Sequence, residues 1–145
     1  MTTRYACIED LPQLAILFDQ YRVFYKQPTD IPAAQSFLQE RIEKKESVII
    51  IAVEENSIAG FTQLYPIFSS VSMKKAWLLN DLFVQKDKRG KGVAAALLAA
   101  AKNFGKETNA KFLLLQTGAD NFTAQSVYEK NNWKKSDDYY YELAI

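Results

Sequence analysis

Hydrophobic and polar positions change period several times along this 145-residue chain, and each change marks an element. Thr3 to Ile8 reads as a short first strand. In DLPQLAILFDQYRVFY, apolar residues stand at Leu11, Leu14, Ile16, Leu17, Phe18, Val23 and Phe24. That helical spacing, with Asp10 offered as N-cap and Pro12 in the first turn, predicts a helix to about Tyr25. Gln27-Pro28-Thr29 breaks it, and a second helix is expected from near Asp30 to about Lys45, again with a proline, Pro32, in its first turn. From Ser47 the run SVIIIAVE is β-branched and nearly all apolar, as a central strand should be. Glu55-Asn56-Ser57 turns the chain, and IAGFTQLYPIF reads as the antiparallel partner. Gly60 within it marks a bulge or a close backbone approach, and Pro66 predicts that the far half lies at an edge or bends away. Phe68 to Lys75 reads as a polar loop.

The stretch from Leu78 to Leu98, LLNDLFVQKDKRGKGVAAALL, has three parts. Leu78 to Val84 is strand-like, Gln85 to Gly92 is a basic connection with two glycines, and from Val93 an alanine- and leucine-rich helix runs to Thr108 or Asn109. KFLLLQTG then predicts a further buried strand, so strand, helix and strand imply a parallel pair with a right-handed crossover. Asp120 or Asn121 caps a short helix, FTAQSVYEKNN, and WKKSDDYYYELAI reads as two short strands turning at Ser136 to Asp138. With no linker or repeat, the expected architecture is a single α/β domain over residues 1–145, with a mixed sheet of six or seven strands and about four helices.

Composition narrows the chemistry. A net charge of +1 argues against nonspecific binding to nucleic acid or membrane. The lone Cys7 leaves no internal disulfide and fits a reducing compartment. The absence of histidine excludes histidine general bases, Ser-His-Asp hydrolysis and the commonest zinc sites, so no metal is expected. The polar start MTTRYACIED and the lack of a long apolar run predict a cytoplasmic protein.

The loop between strand and helix is the first candidate site. The opening amides of a helix have no intrahelical partner, and its dipole favours an anion there. Arg89-Gly90-Lys91-Gly92-Val93-Ala94 combines that geometry with two cations and two glycines. It has neither the spelling of a nucleotide-triphosphatase loop nor the three-glycine dinucleotide fingerprint. It resembles the Gln/Arg-x-x-Gly-x-Gly/Ala pyrophosphate loop of the GNAT acetyltransferases. The short helix strengthens the likeness: Asn121, Ala124 and Tyr128 share a face, followed by Lys130-Asn131-Asn132-Trp133, similar to that family's N-x-x-A-x-x-x-Y-x-K-x-G-F. Asn132-Trp133 stands where Gly-Phe is usual, which puts the geometry of that turn in doubt.

The resemblance implies the GNAT fold, acetyl-CoA as cosubstrate and acetyl transfer to an amine. It implies that Arg89, Gly90, Lys91, Gly92, Val93 and Ala94 hold the pyrophosphate, that Asn121 contacts the pantetheine arm, and that Tyr128 protonates the departing thiolate. It also implies a sheet that splays after Val84, so that amides of Leu82, Phe83 and Val84 bind the pantetheine and thioester as an added strand. A phenol is protonated at neutral pH and suits the acid's role.

Asp81 is the only acid between Ala76 and Val84, and so a candidate base or amine anchor; a structural hydrogen bond to a neighbouring loop explains it equally well. Glu54 and Glu55 are reserve acids. Strand parity predicts Trp77, Leu79, Asp81 and Phe83 on one side, and Leu78, Asn80, Leu82 and Val84 on the other. Acetylators of polyamines carry a Glu-Asp pair where this chain has Asn80-Asp81, which weakens the case for a polycationic acceptor. Tyr21, Arg22, Phe24 and Tyr25 form a polar-aromatic cluster similar to that of small histone- or polyamine-acetyltransferase-like members, so Tyr21, Arg22, Tyr25 and Asn80 are the expected acceptor-binding residues. Tyr139, Tyr140 and Tyr141 alternate faces, bringing at least one to the same pocket or to a dimer contact. The expected enzyme acetylates a primary amine of a small molecule, amino acid or peptide by direct attack. The alternative is a CoA-binding sensor or assembly module without turnover.

Overall fold

Ile49 and Ile51 point to one side of the sheet and Ile50 and Ala52 to the other, and helices cover both sides. That is why the run from Val48 to Val53 is apolar throughout. The computed structural model describes residues 1–145. Its elements are β1 (Thr2–Tyr5), α1 (Leu11–Phe24), α2 (Ile31–Glu43), β2 (Val48–Glu54), β3 (Ser57–Ser69), β4 (Lys74–Val84), α3 (Val93–Glu107), β5 (Leu113–Leu114) and α4 (Phe122–Lys130). The sheet order is β1-β2-β3-β4-β5, antiparallel except for the parallel β4–β5 pair. One apolar cluster joins α1 and α2 to Ile49, Ile51, Ile58 and Phe61. The other joins α3 to Ile50, Ala52, Leu64, Trp77 and Leu79. No helix is long and apolar enough to cross a membrane.

Helix starts follow the local signals. Asp30 caps α2 by accepting from Ala33 N at 3.0 Å, and Asn121 caps α4 by accepting from Ala124 N at 3.2 Å. Asp10 stands before α1 but makes no such bond; its carboxylate accepts from the two terminal guanidinium nitrogens of Arg4, at 2.7 and 2.8 Å, and from Cys7 N. Glu55 and Asn56, both at positive φ, make the tight β2–β3 turn. Beyond Leu64, β3 pairs only with β4, which accommodates Pro66 and its missing donor.

The sheet has five strands, where six or seven were expected. KFLLLQTG contributes only Leu113–Leu114, and nothing beyond Lys130 is a strand. A strand is defined by its ladder, and β5 finds β4 only at Trp77↔Leu113 and Leu78↔Leu114 before the two diverge. The expected polar loop at Phe68–Lys75 shrinks to Ser70–Met73, because β3 and β4 continue as a hairpin.

A bulge corrects the parity of β4. Gln63 pairs with Asp81 but Leu64 pairs with Leu79, leaving Asn80 unopposed. Trp77 and Leu79 therefore pack toward α3, and after the bulge Leu82 and Val84 do so as well. Phe83 turns to the α1 side, and Asp81, two residues before it, shares that side.

Candidate active site

Where β4 and β5 part, a cavity of about 590 Å³ opens between the end of α1, the end of β4, the start of α3 and α4. Its β4 wall is Leu82, Phe83 and Val84. Gln85 N donates to Ala59 O at 2.9 Å, and antiparallel alternation then directs Phe83 at β3 and turns the Leu82 and Val84 amides to the open edge. The pairing with β5 ends at Leu78, earlier than the expected splay after Val84. Of the three amides expected to meet a ligand, Leu82 and Val84 are available and Phe83 is engaged by β3.

The loop forms the second wall. Arg89, Gly90, Gly92, Val93 and Ala94 border the cavity. Gly90 and Gly92 take φ of +73° and +83°, in the left-handed region that suits glycine. No amide from Arg89 to Ala95 donates within the protein, and α3 starts without a side-chain cap. These donors and the helix dipole make a strong anion site. Arg89 Nε donates to Val84 O at 3.1 Å, and its guanidinium carbon lies 5.5 Å from the centre of the Phe83 ring. Lys91 is exposed and does not border the cavity. Glu54, a reserve acid, pairs instead with Lys88 at 2.6 Å, which holds its carboxyl below the ordinary range.

Asn121, Ala124 and Tyr128 all face the cavity from α4. The Asn121 side-chain oxygen is committed to its helix cap, which leaves its amide group for a ligand. Tyr128 packs 6.3 Å from Trp133, ring centre to ring centre, so Trp133 supports the tyrosine where phenylalanine is usual. Burial, and Tyr25 beside it, push the Tyr128 phenol above its ordinary value of 10.0, so it carries its proton at neutral pH.

Of the expected acceptor residues, Tyr21 and Tyr25 border the cavity and Arg22 and Asn80 do not. Arg22 reaches Pro28 O at 3.4 Å and Asp19 at 3.9 Å, and so holds the α1–α2 loop. Asn80, displaced by the bulge, donates to Asp81 Oδ1 at 2.9 Å, and its carbonyl accepts from Tyr21 at 3.3 Å. Asp81 is buried behind the wall, where Gln63 Nε2 donates to it at 2.6 Å; Ser47 in turn donates to Gln63 at 2.7 Å. Burial pushes its carboxyl above the ordinary 3.8, opposed by its hydrogen bonds. Tyr21 stands beside Asp81, and its phenol is raised by burial and that neighbouring charge. Gln63 escaped the sequence reading, as did the lining residues Thr117 and Thr123; no local pattern marks them, because the fold alone brings them in.

The model of the acetyltransferase (GNAT) family matches residues 13–133. An uncharacterised N-acetyltransferase of Bacillus subtilis, YhfO, is 49% identical over 135 residues, covering 93% of this chain and 91% of its own. A probable acetyltransferase of Haemophilus influenzae is 33% identical over 119 residues, covering 81% and 80%. The crystal structure of a probable acetyltransferase superposes with a TM-score of 0.95 at 40% identity, over 100% of this chain and 98% of that one. The chain belongs to the GNAT acetyltransferase family. It is an acetyl-CoA-dependent N-acetyltransferase, and its five-stranded sheet is a GNAT sheet.

Proposed function

We propose that the acceptor is a primary amine of a small molecule, amino acid or peptide, acetylated by direct attack. The observation that carries this reading is one cavity bordered by three things: a run of free amides, the protonated Tyr128 and the aromatic end of α1. The donor set suits acetyl-CoA. Loop amides from Arg89 to Ala95 would take its pyrophosphate, and the Leu82 and Val84 edge with the Asn121 amide would take its pantetheine arm.

Acetyl-CoA supplies the activated acyl carbon, whose C–S bond breaks as the amine nitrogen forms its C–N bond. Tyr128 gives its phenolic proton to the sulfur as charge builds there. Tyr21 and Tyr25 seat the amine; the Tyr21 oxygen takes the amine's proton as its own hydroxyl proton turns from Asn80 O to the adjacent Asp81 carboxylate. Cys7 takes no part: it lies near Arg4 and Asp10, among residues that do not border the cavity.

The test is free-thiol release from acetyl-CoA across a panel of amines, amino acids and peptides. With the best acceptor, Tyr128→Phe is expected to keep coenzyme affinity and lower kcat by ~10²–10⁴-fold, since the lost proton matters most as the thiolate forms. Turnover at the parent rate would make Tyr128 a packing residue and end this assignment.

A further inference from the structure

A carboxylate taken out of water keeps its charge only through the groups that meet it, and around Asp81 those groups are few. It joins none of the ion pairs. The phenols that face it are Tyr21 from α1 and Tyr65 from β3. Beyond Tyr21 stand Tyr25 and Tyr128; beyond Tyr65 stand Arg41 of α2 and Glu46, whose charges act in opposite senses. The Tyr21 hydroxyl donates to Asn80 O, at 3.3 Å. Asn80 itself donates to Asp81 Oδ1 at 2.9 Å, but Asn80 is exposed, and water competes for that bond.

Gln63 meets no such competition. It lies opposite Asp81 in the β3–β4 ladder, wholly buried, and its Nε2 donates to Asp81 Oδ2 at 2.6 Å. Residues paired across two strands share a face, so the register itself builds the contact. The other end of the amide is occupied too, because Ser47 Oγ donates to Gln63 Oε1 at 2.7 Å. With its oxygen satisfied there, the amide keeps its N–H on Asp81 and leaves no buried acceptor unpaired. The reverse orientation would set Oε1 against Oδ2, two acceptors in contact, for as long as Asp81 is charged. Thr62 Oγ1 donates to the Asp81 backbone oxygen at 2.8 Å and fixes the strand at the same point.

We propose that Gln63 is a positioning residue of the acetyl transfer, holding Asp81 in the ionised form that can take the amine's proton. The role rests on the proposed passage of that proton to Asp81. Gln63 does not border the cavity, so it acts through the carboxylate. A hydrogen bond to a carboxylate is stronger than one to a neutral carboxyl, so its loss favours the protonated form.

Gln63→Met keeps the length and the burial and removes the amide. Carbon NMR of the aspartate side-chain carboxyls follows Asp81, whose signal is the one missing from Asp81→Asn. Its midpoint is expected to lie about one pH unit higher in Gln63→Met than in the parent. Turnover should carry the same mark. The ratio of kcat/KM for the amine, variant over parent, cancels the amine's own ionisation. That ratio should stay near one above both Asp81 midpoints and fall to about a tenth below them, with acetyl-CoA affinity unchanged. A ratio equally depressed at every pH, or an unmoved midpoint, would make Gln63 a packing residue and overturn the proposal. In the unaltered protein the Gln63 side-chain amide nitrogen should shift with the Asp81 midpoint. An amide that does not follow it would overturn the proposal even if Gln63→Met failed to fold. Asp81→Asn tells the two levels apart. If it keeps the parent kcat/KM for the amine, Asp81 is not the proton's destination and the role of Gln63 falls with it. If it loses kcat/KM while the Gln63→Met ratio stays flat with pH, only the role of Gln63 fails.

Discussion

Asp81 carries two opposed demands in one side chain. Removal from water favours its neutral form, while donors from Gln63, Asn80 and the neighbouring Tyr21 favour the charged one, and burial is the larger effect. Its pKa in the folded protein is therefore raised above the unfolded value. Such a group contributes stability that is fully present below the unfolded pKa, near 3.8, and is lost as pH rises through the folded one. Asp81→Asn does not titrate, but its amide nitrogen must face one of the two donors, Gln63 or Asn80, which then flips or loses its partner, at about 1–3 kcal/mol. The parent should exceed the variant in stability by more at pH 4 than at pH 7, as read by urea melts at the two values. If Asp81 also receives the amine's proton, the variant's kcat/KM for the amine falls while acetyl-CoA affinity holds. A pH-independent stability difference would show that the carboxyl keeps its ordinary pKa in the fold.

At the scale of elements, the end of β4 and the start of α3 have to meet, and Gly60 is where they do. A Cβ there would lie 2.7 Å from Phe83 O, 3.2 Å from Val93 Cγ1 and 3.3 Å from Leu97 Cδ1. The oxygen is backbone of the neighbouring strand and cannot step aside without moving the cavity wall. Gly60→Ala is expected to cost about 1–3 kcal/mol of stability in denaturant unfolding and to weaken coenzyme binding with it. An unchanged unfolding midpoint would mean that the β3–β4 ladder yields easily at this point. Gly60 was legible in the sequence as a bulge or close approach, and it is both: β2 and β3 slip register between Ala52 and Val53, opposite it. The helices were legible for a similar reason, since Pro12, Pro32, Asp30 and Asn121 act over one turn of chain. Long-range pairing was not legible. The Asn80 bulge, the two-residue β5 and the unpaired tail all depend on what lies opposite, and period-two alternation is silent about that. The site divides in the same way: the loop and Tyr128 sit in local motifs, whereas the side of β4 that Asp81 takes is decided by a bulge.

At the scale of the whole molecule, the two apolar clusters lie on opposite sides of one sheet, and the cavity opens where that sheet divides. Its walls come from α1, β4, α3 and the α4 region, so a ligand lying along it touches elements from both clusters. Binding to the folded state alone stabilises by RT ln(1 + [L]/Kd), about 2.7 kcal/mol at a hundredfold excess over Kd. For a chain of this size 1 kcal/mol moves the melting temperature by roughly 3–4 °C, so acetyl-CoA at that excess should raise Tm by about 8–11 °C. Gly92→Asp supplies the control. At φ +83° aspartate is strained, and its carboxylate enters a site built from free amides for an anion. The variant is expected to melt a few degrees lower without ligand and to lose most of the shift with it. Scanning fluorimetry across an acetyl-CoA titration reads both effects. If Gly92→Asp keeps the full shift, the coenzyme's phosphates are held somewhere other than the start of α3.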